Sequence, residues 1–188
     1  MKISVKNFLT VLPAASKDDT LSAIRCVRVD ASGIYVACDG DVALVVETAQ
    51  CFERSASILP TRELKAYVRY LDKKKVPVFD FSIDENGDQI VDGKCFGVAA
   101  DQEYYPDLRR LLTLENPAIA ERFVMFNPLD MKKVFDFFGK KRFFFCEIAT
   151  EKALNESDEI SKFTFRDREQ HKLAVVFPID RRHFRWEV

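Results

Sequence analysis

Three times along the chain the apolar residues change their spacing from alternation to helical spacing and back. In the first pass Ile3 and Val5 alternate with polar residues, as in a strand. Asn7 offers a helix cap, and Phe8, Leu9, Leu12 and Ala15 follow on one helical face. Strand-like runs over 24–29, 34–38 and 42–46 come next, separated by the turn formers Ala31-Ser32-Gly33 and Asp39-Gly40. The second pass opens with a strand at 57–60. Thr61 then caps a helix over 62–71 whose buried stripe is Leu64, Val68 and Leu71. In the strand over 76–83, Pro77, Phe79, Phe81 and Ile83 share one face, and Val76, Val78, Asp80 and Ser82 the other. Glu85-Asn86-Gly87-Asp88 predicts a hairpin turn, because Asn-Gly takes the positive φ such turns need. Ile90-Val91, the turn Asp92-Gly93-Lys94 and a strand over 95–99 complete the pass, and a loop covers 104–111. The third pass opens with a strand at 122–126. Asn127 caps a helix with Pro128 in its first turn, and Gly139 ends it. Strands over 143–149, 160–165 and 171–177 follow, the first two separated by a polar loop over 151–159.

The predicted class is therefore α+β, built of three β-α-β-β-β half-repeats. One such half cannot bury both its helix face and its sheet face, so halves should pair. Residues 1–114 then form a complete domain of two halves, 1–52 and 56–114. Residues 120–180 form a single half, and 181–188 a C-terminal tail. The third helix, with Leu129, Met131, Val134, Phe135 and Phe138, finds no partner half in the chain. An apolar face without a partner seeks another surface, so a homo-oligomer is expected, a dimer or tetramer in which two chains pair their third halves. The dense run Phe135, Phe137, Phe138, Phe143, Phe144 and Phe145 suits core or interface.

Composition narrows the function. With 188 residues, 47% hydrophobic and 31% charged, the chain can bury a core and is not a disordered segment. A net charge of −1 excludes a globally basic nucleic-acid binder but leaves room for a basic face. No run of 18 apolar residues occurs, so no membrane span or membrane partner is expected. The five cysteines (Cys26, Cys38, Cys51, Cys95, Cys146) are odd in number, widely spread and without a CxxC pair, which predicts buried reduced thiols in a cytoplasmic protein. His171 and His183 pair with no cysteine cluster, so no metal site and no cofactor are expected. The sequence has no Gly-rich phosphate loop, HExxH or GxSxG, and Asp39 reads first as part of an Asp-Gly turn. An enzyme is not expected, and no catalytic residue is assigned.

Four segments resemble the bacterial sliding clamp, the β subunit of DNA polymerase III. Tyr35-Val36-Ala37-Cys38-Asp39-Gly40-Asp41-Val42-Ala43-Leu44-Val45, preceded by residues 21–29, is similar to that family's strand-turn-strand. Ile58-Leu59-Pro60-Thr61-Arg62-Glu63-Leu64 is similar to its strand running into a helix. Tyr105-Pro106-Asp107-Leu108-Arg109-Arg110-Leu111 matches its PDYRR loop, and Val175-Val176-Phe177-Pro178-Ile179 its C-terminal VVMPM. The resemblance implies the DNA-clamp fold in a shortened form, about half of a full subunit, of the kind a phage or mobile element would carry. It also implies a peptide-binding pocket with Leu21, Cys38, Gly40, Val42, Ala43, Pro106, Arg110 and Leu111 on one wall and Val175, Phe177, Pro178 and Ile179 on the other. An apolar cleft with few polar groups suits an extended peptide that inserts side chains.

The implied function is non-catalytic: tethering DNA polymerase, clamp loader or repair proteins to DNA through short peptide motifs. The alternative is a clamp mimic that captures such peptides, or a host clamp, and inhibits replication. DNA contact falls to basic helices, Lys65, Arg69, Lys73, Lys74 and Lys75 on the second and Lys132 and Lys133 on the third, which would hold double-stranded DNA without reading sequence. Two departures stand out. Asp41-Val42 replaces the family's His-Arg after the glycine, and Asp18 and Asp19 precede Leu21, where carboxylates oppose phosphate.

Overall fold

In a computed structural model of the chain, which describes residues 1–16, 22–100, 128–139, 144–152, 159–167 and 172–176, Ser4 rather than Asn7 caps the first helix. Strand β1 is Lys2–Ser4, and helix α1 is Val5–Val11. The Ser4 hydroxyl accepts the Asn7 N–H at 3.3 Å, which satisfies one of the donors a helix start leaves open. Val5 thus leaves the strand predicted for it and becomes a helical core residue together with Phe8 and Val11. Pro13 closes the helix in a single 3₁₀ turn, Leu12–Ala14. The strand expected over 24–29 is shorter. A 3₁₀ turn, Ser22–Arg25, precedes β2 (Val27–Val29). Strands β3 (Ile34–Cys38) and β4 (Val42–Glu47) follow where the strand-like runs placed them.

The second stretch runs β5 (Ala56–Ile58), α2 (Arg62–Lys73), β6 (Val78–Ile83), β7 (Asp88–Val91) and β8 (Lys94–Val98). Thr61 Oγ1 accepts the Leu64 N–H at 3.2 Å, and Glu63 and Lys73 sit at the helix ends that favour their charges. Leu64, Val68 and Leu71 are buried, as their spacing required. The helix stops in a Schellman arrangement: the Val76 N–H donates to Leu71 C=O at 3.0 Å and the Lys75 N–H to Asp72 C=O at 2.9 Å. Lys75 takes the left-handed position, φ 58°, usually held by glycine. On β6, Phe79 and Phe81 point inward, while Val78, Asp80 and Ser82 point out.

The chain divides into two compact units. The first comprises Met1–Gly40 and Leu44–Pro106; the second takes in Asp41–Ala43 and the chain from Asp107 onward. Within the first unit the opening strands change partners. β1 joins the sheet β1-β6-β7-β8, pairing Ile3 with Phe79, while β5 joins β2, β3 and β4, pairing Ser57 with Arg28. Two buried polar side chains tie each exchanged strand back. Tyr35 on β3 is fully buried, and its hydroxyl accepts the Ser4 N–H at 3.0 Å. Gln89 on β7 is fully buried and grips the backbone of Leu59, just past β5: it accepts the Leu59 N–H at 3.1 Å and donates to the Leu59 carbonyl at 2.8 Å. Helices α1 and α2 pack together. Phe8 meets Phe79 edge to face, with ring centroids 5.6 Å apart.

In the second unit, helix α3 (Pro128–Phe138) precedes an antiparallel meander of β9 (Phe144–Lys152), β10 (Glu159–Asp167) and β11 (Lys172–Val176). Gly139, φ 80°, ends the helix, its N–H donating to Phe135 C=O at 3.0 Å. The buried face of α3 is Asp130, Val134, Phe137 and Phe138. Leu129 and Phe135, expected on the apolar face, are 69% and 54% exposed. Lys172 of β11 meets the inward-turned Phe137. Its Nζ lies 5.0 Å from the Phe137 ring centroid and donates to the Phe137 carbonyl at 2.8 Å, an acceptor the helix end leaves open. The expected strand at 122–126 and cap Asn127 lie outside the described residues. The cysteines also differ from expectation. Cys26 and Cys38 are buried, but Cys51 and Cys95, the latter on β8, are exposed.

Candidate functional site

The turn between β3 and β4 carries the described part of the peptide wall. Gly40 sits at φ 100°, a conformation that favours glycine, and its N–H reaches Cys38 Sγ at 3.3 Å. Gly40 is exposed, whereas Cys38, Val42 and Ala43 are buried, and so is Val175 on β11. Leu21, Pro106, Arg110, Leu111, Phe177, Pro178 and Ile179 lie outside the described residues. A shallow depression of about 160 Å³, lined by Met1, Arg54, Ser55, Ala56, Phe81 and Ile83, lies elsewhere and is too small for a peptide.

The basic residues sort by helix. On α2 the buried stripe of Leu64, Val68 and Leu71 leaves Arg62, Ala66, Arg69 and Lys73 on the opposite face, all four exposed. No acidic residue interrupts that face; Glu63 and Asp72 lie to its two sides. Lys74 and Lys75 extend it beyond the helix and are exposed, whereas Lys65 lies off the face and is half-buried. Arg62 was missed in the sequence, although its spacing of seven residues from Arg69 places both on one face. The α3 lysines are engaged within their own helix. Lys132 pairs with Asp136, and Lys133 Nζ lies 2.9 Å from the buried Asp130. Phosphate would have to compete with those carboxylates.

Beside the α2 face stands a row of rings. Tyr67 stacks with Tyr70 (centroids 6.5 Å apart) and leans on Phe96 of β8 at 5.4 Å. The Tyr67 hydroxyl donates to Asp92 Oδ2 at 3.0 Å, and Asp92 Oδ1 accepts the Asp80 N–H at 2.8 Å. Partial desolvation, reinforced by the Asp92 carboxylate, holds the Tyr67 phenol above its usual pKa.

No family model matches the sequence, and no curated protein matches it either. Solved structures do. The DNA polymerase III β subunit of Thermotoga maritima aligns with 96% of this chain at 12% identity and a TM-score of 0.53, over 65% of its own length. The β subunit of Borrelia burgdorferi, solved with a natural product, aligns with 96% at 11% identity and a TM-score of 0.51, over 62% of its length. The sliding clamp of Bacillus subtilis aligns with 96% at 13% identity and a TM-score of 0.51, over 64% of its length. The chain thus spans a little under two thirds of each. At these identities the likeness is one of fold: the chain has the fold of the bacterial DNA polymerase III β sliding clamps over that part of their length.

Proposed function

We propose that this chain is a non-catalytic, clamp-like tether that holds replication or repair proteins on double-stranded DNA. The observation that carries the reading is the acid-free basic face of α2, Arg62, Arg69 and Lys73, in a chain with the sliding-clamp fold. A cationic face of this kind contacts phosphate and carries no base readout, so binding is sequence-blind and salt-sensitive. Polymerase, clamp-loader or repair proteins are held by short apolar motifs that engage Leu21, Gly40, Pro106, Arg110, Leu111, Phe177, Pro178 and Ile179. Residues 1–114 act as the complete domain, and 120–180 as a half completed by a second chain, giving a dimer or tetramer. Leu129 and Phe135, exposed on α3, supply apolar surface for that contact.

The test is titration of a fluorescent 30-base-pair duplex at several salt concentrations. The Arg69→Glu/Lys73→Glu variant should bind at least tenfold more weakly, with a salt slope smaller by about two. An unchanged affinity and slope would remove α2 from the DNA-binding surface. A clamp-motif peptide should bind independently of those charges, and Phe177→Ala should weaken it by roughly 1–3 kcal/mol.

A further inference from the structure

We infer that the Tyr67–Tyr70–Phe96 row is a stacking platform for unpaired bases, a single-stranded nucleic-acid site beside the duplex-binding face of α2. Tyr70 is 54% exposed, although its ring carries a large apolar face that contributes little to the core. It stands next to Tyr67 and, through it, Phe96, so three rings run from the helix to the edge strand β8. One cation lies at the Tyr70 end of the row and one at its middle ring. Lys74 Nζ lies 5.8 Å from the Tyr70 centroid, and Lys94 Nζ 4.8 Å from the Tyr67 centroid. Lys73 and Lys75 flank Lys74 and are exposed.

One nearby carboxylate, Asp92, is engaged by the Tyr67 hydroxyl and the Asp80 N–H, and a second, Glu63, lies one helical turn before Tyr67. Asp92 fixes the Tyr67 ring, with Lys94 close by. The exposed Tyr70 ring, backed by Tyr67 and Phe96 and with Lys73, Lys74 and Lys75 beside it, matches a single strand, whose bases offer π-faces and whose phosphates need cations. A duplex keeps its bases stacked on one another and cannot use these rings, so the row distinguishes the two forms of DNA. This goes beyond the duplex reading and requires neither a ring assembly nor the peptide pocket.

The experiment uses the full chain with fluorescent oligo(dT) of 20 nucleotides and, separately, the 30-base-pair duplex. Stacking predicts that Tyr70→Ala weakens oligo(dT) about tenfold and leaves duplex affinity within twofold. Tyr70→Phe should retain oligo(dT) affinity, and Tyr70→Leu, apolar but without a π-face, should lose it as Ala does. Far-UV circular dichroism of each variant should match the wild type, since Tyr70 is largely in solvent. Equal oligo(dT) affinity for Tyr70→Ala and wild type overturns the platform, and so does equal weakening toward both DNA forms or retention by Tyr70→Leu. Wild-type binding to duplex but not to oligo(dT) overturns the platform alone. Binding to neither overturns both the platform and the duplex reading.

Discussion

Replacing Gln89 by leucine tests how the two sheets of the first unit are joined. The Gln89 side chain is fully buried. Its Oε1 accepts the Leu59 N–H at 3.1 Å, and its Nε2 donates to the Leu59 carbonyl at 2.8 Å and the Phe96 carbonyl at 3.2 Å. One amide thus links β7, the edge strand β8 and the segment after β5. Leucine fills a similar volume but leaves one donor and two acceptors unanswered. The stranded N–H costs about 1–3 kcal/mol and each carbonyl, with its second lone pair, roughly 0.5 kcal/mol. The expected loss is therefore about 3 kcal/mol, or roughly 10 °C in Tm for a chain of this size. Urea unfolding followed by circular dichroism gives the free energy, and hydrogen exchange at the Leu59 amide gives the local consequence. A loss under about 1 kcal/mol with Leu59 still protected would refute the view that this amide joins the sheets.

Gly33→Ala should destabilise by about 3 kcal/mol or more in the same urea assay, because an added Cβ would stand 1.9 Å from the Gln50 carbonyl oxygen and φ is +89°. Lys75→Gly should stabilise by about 1 kcal/mol in thermal melts, since glycine takes the left-handed Schellman position without strain. Burial pushes the Cys26 thiol up to about 11, with Arg25 and Arg28 partly opposing it. A folded-state pKa raised above the unfolded value adds stability that is complete below about pH 9 and lost as pH rises to about 11. Stability should therefore fall by up to roughly 2 kcal/mol across that window, and Cys26→Ala should flatten the fall.

The parts of the fold legible in the sequence are those decided within a few residues. Thr61, the Leu64-Val68-Leu71 stripe and the Phe79-Phe81 alternation each carry their own signal, and all three stand where expected. The start of α1 was ambiguous because Ser4 and Asn7 are both good caps and Val5 fits either period. The Ser4 N–H goes to the buried Tyr35 hydroxyl, a contact 31 residues away that no local pattern reveals. The exchange of β1 and β5 between sheets is likewise a long-range choice. The three phenylalanines of α3 could have presented either of two faces, and Lys172 from β11 meets Phe137. The basic residues were legible, but their grouping required the helix: Arg62 joins Arg69 and Lys73 only once the buried stripe is fixed. The aromatic row required both α2 and β8, which are distant in sequence.

Retention on DNA of different topology tests the tether most directly. The protein is incubated with a nicked circular plasmid, passed through a sizing column, and the measurement repeated after the same plasmid is cut once. A closed assembly around DNA predicts co-elution with the circle and loss from the linear form, which lets it slide off the ends. Equal retention on both would contradict encirclement, and elution free of the circle would contradict the tether itself and leave the chain as a peptide-capturing mimic.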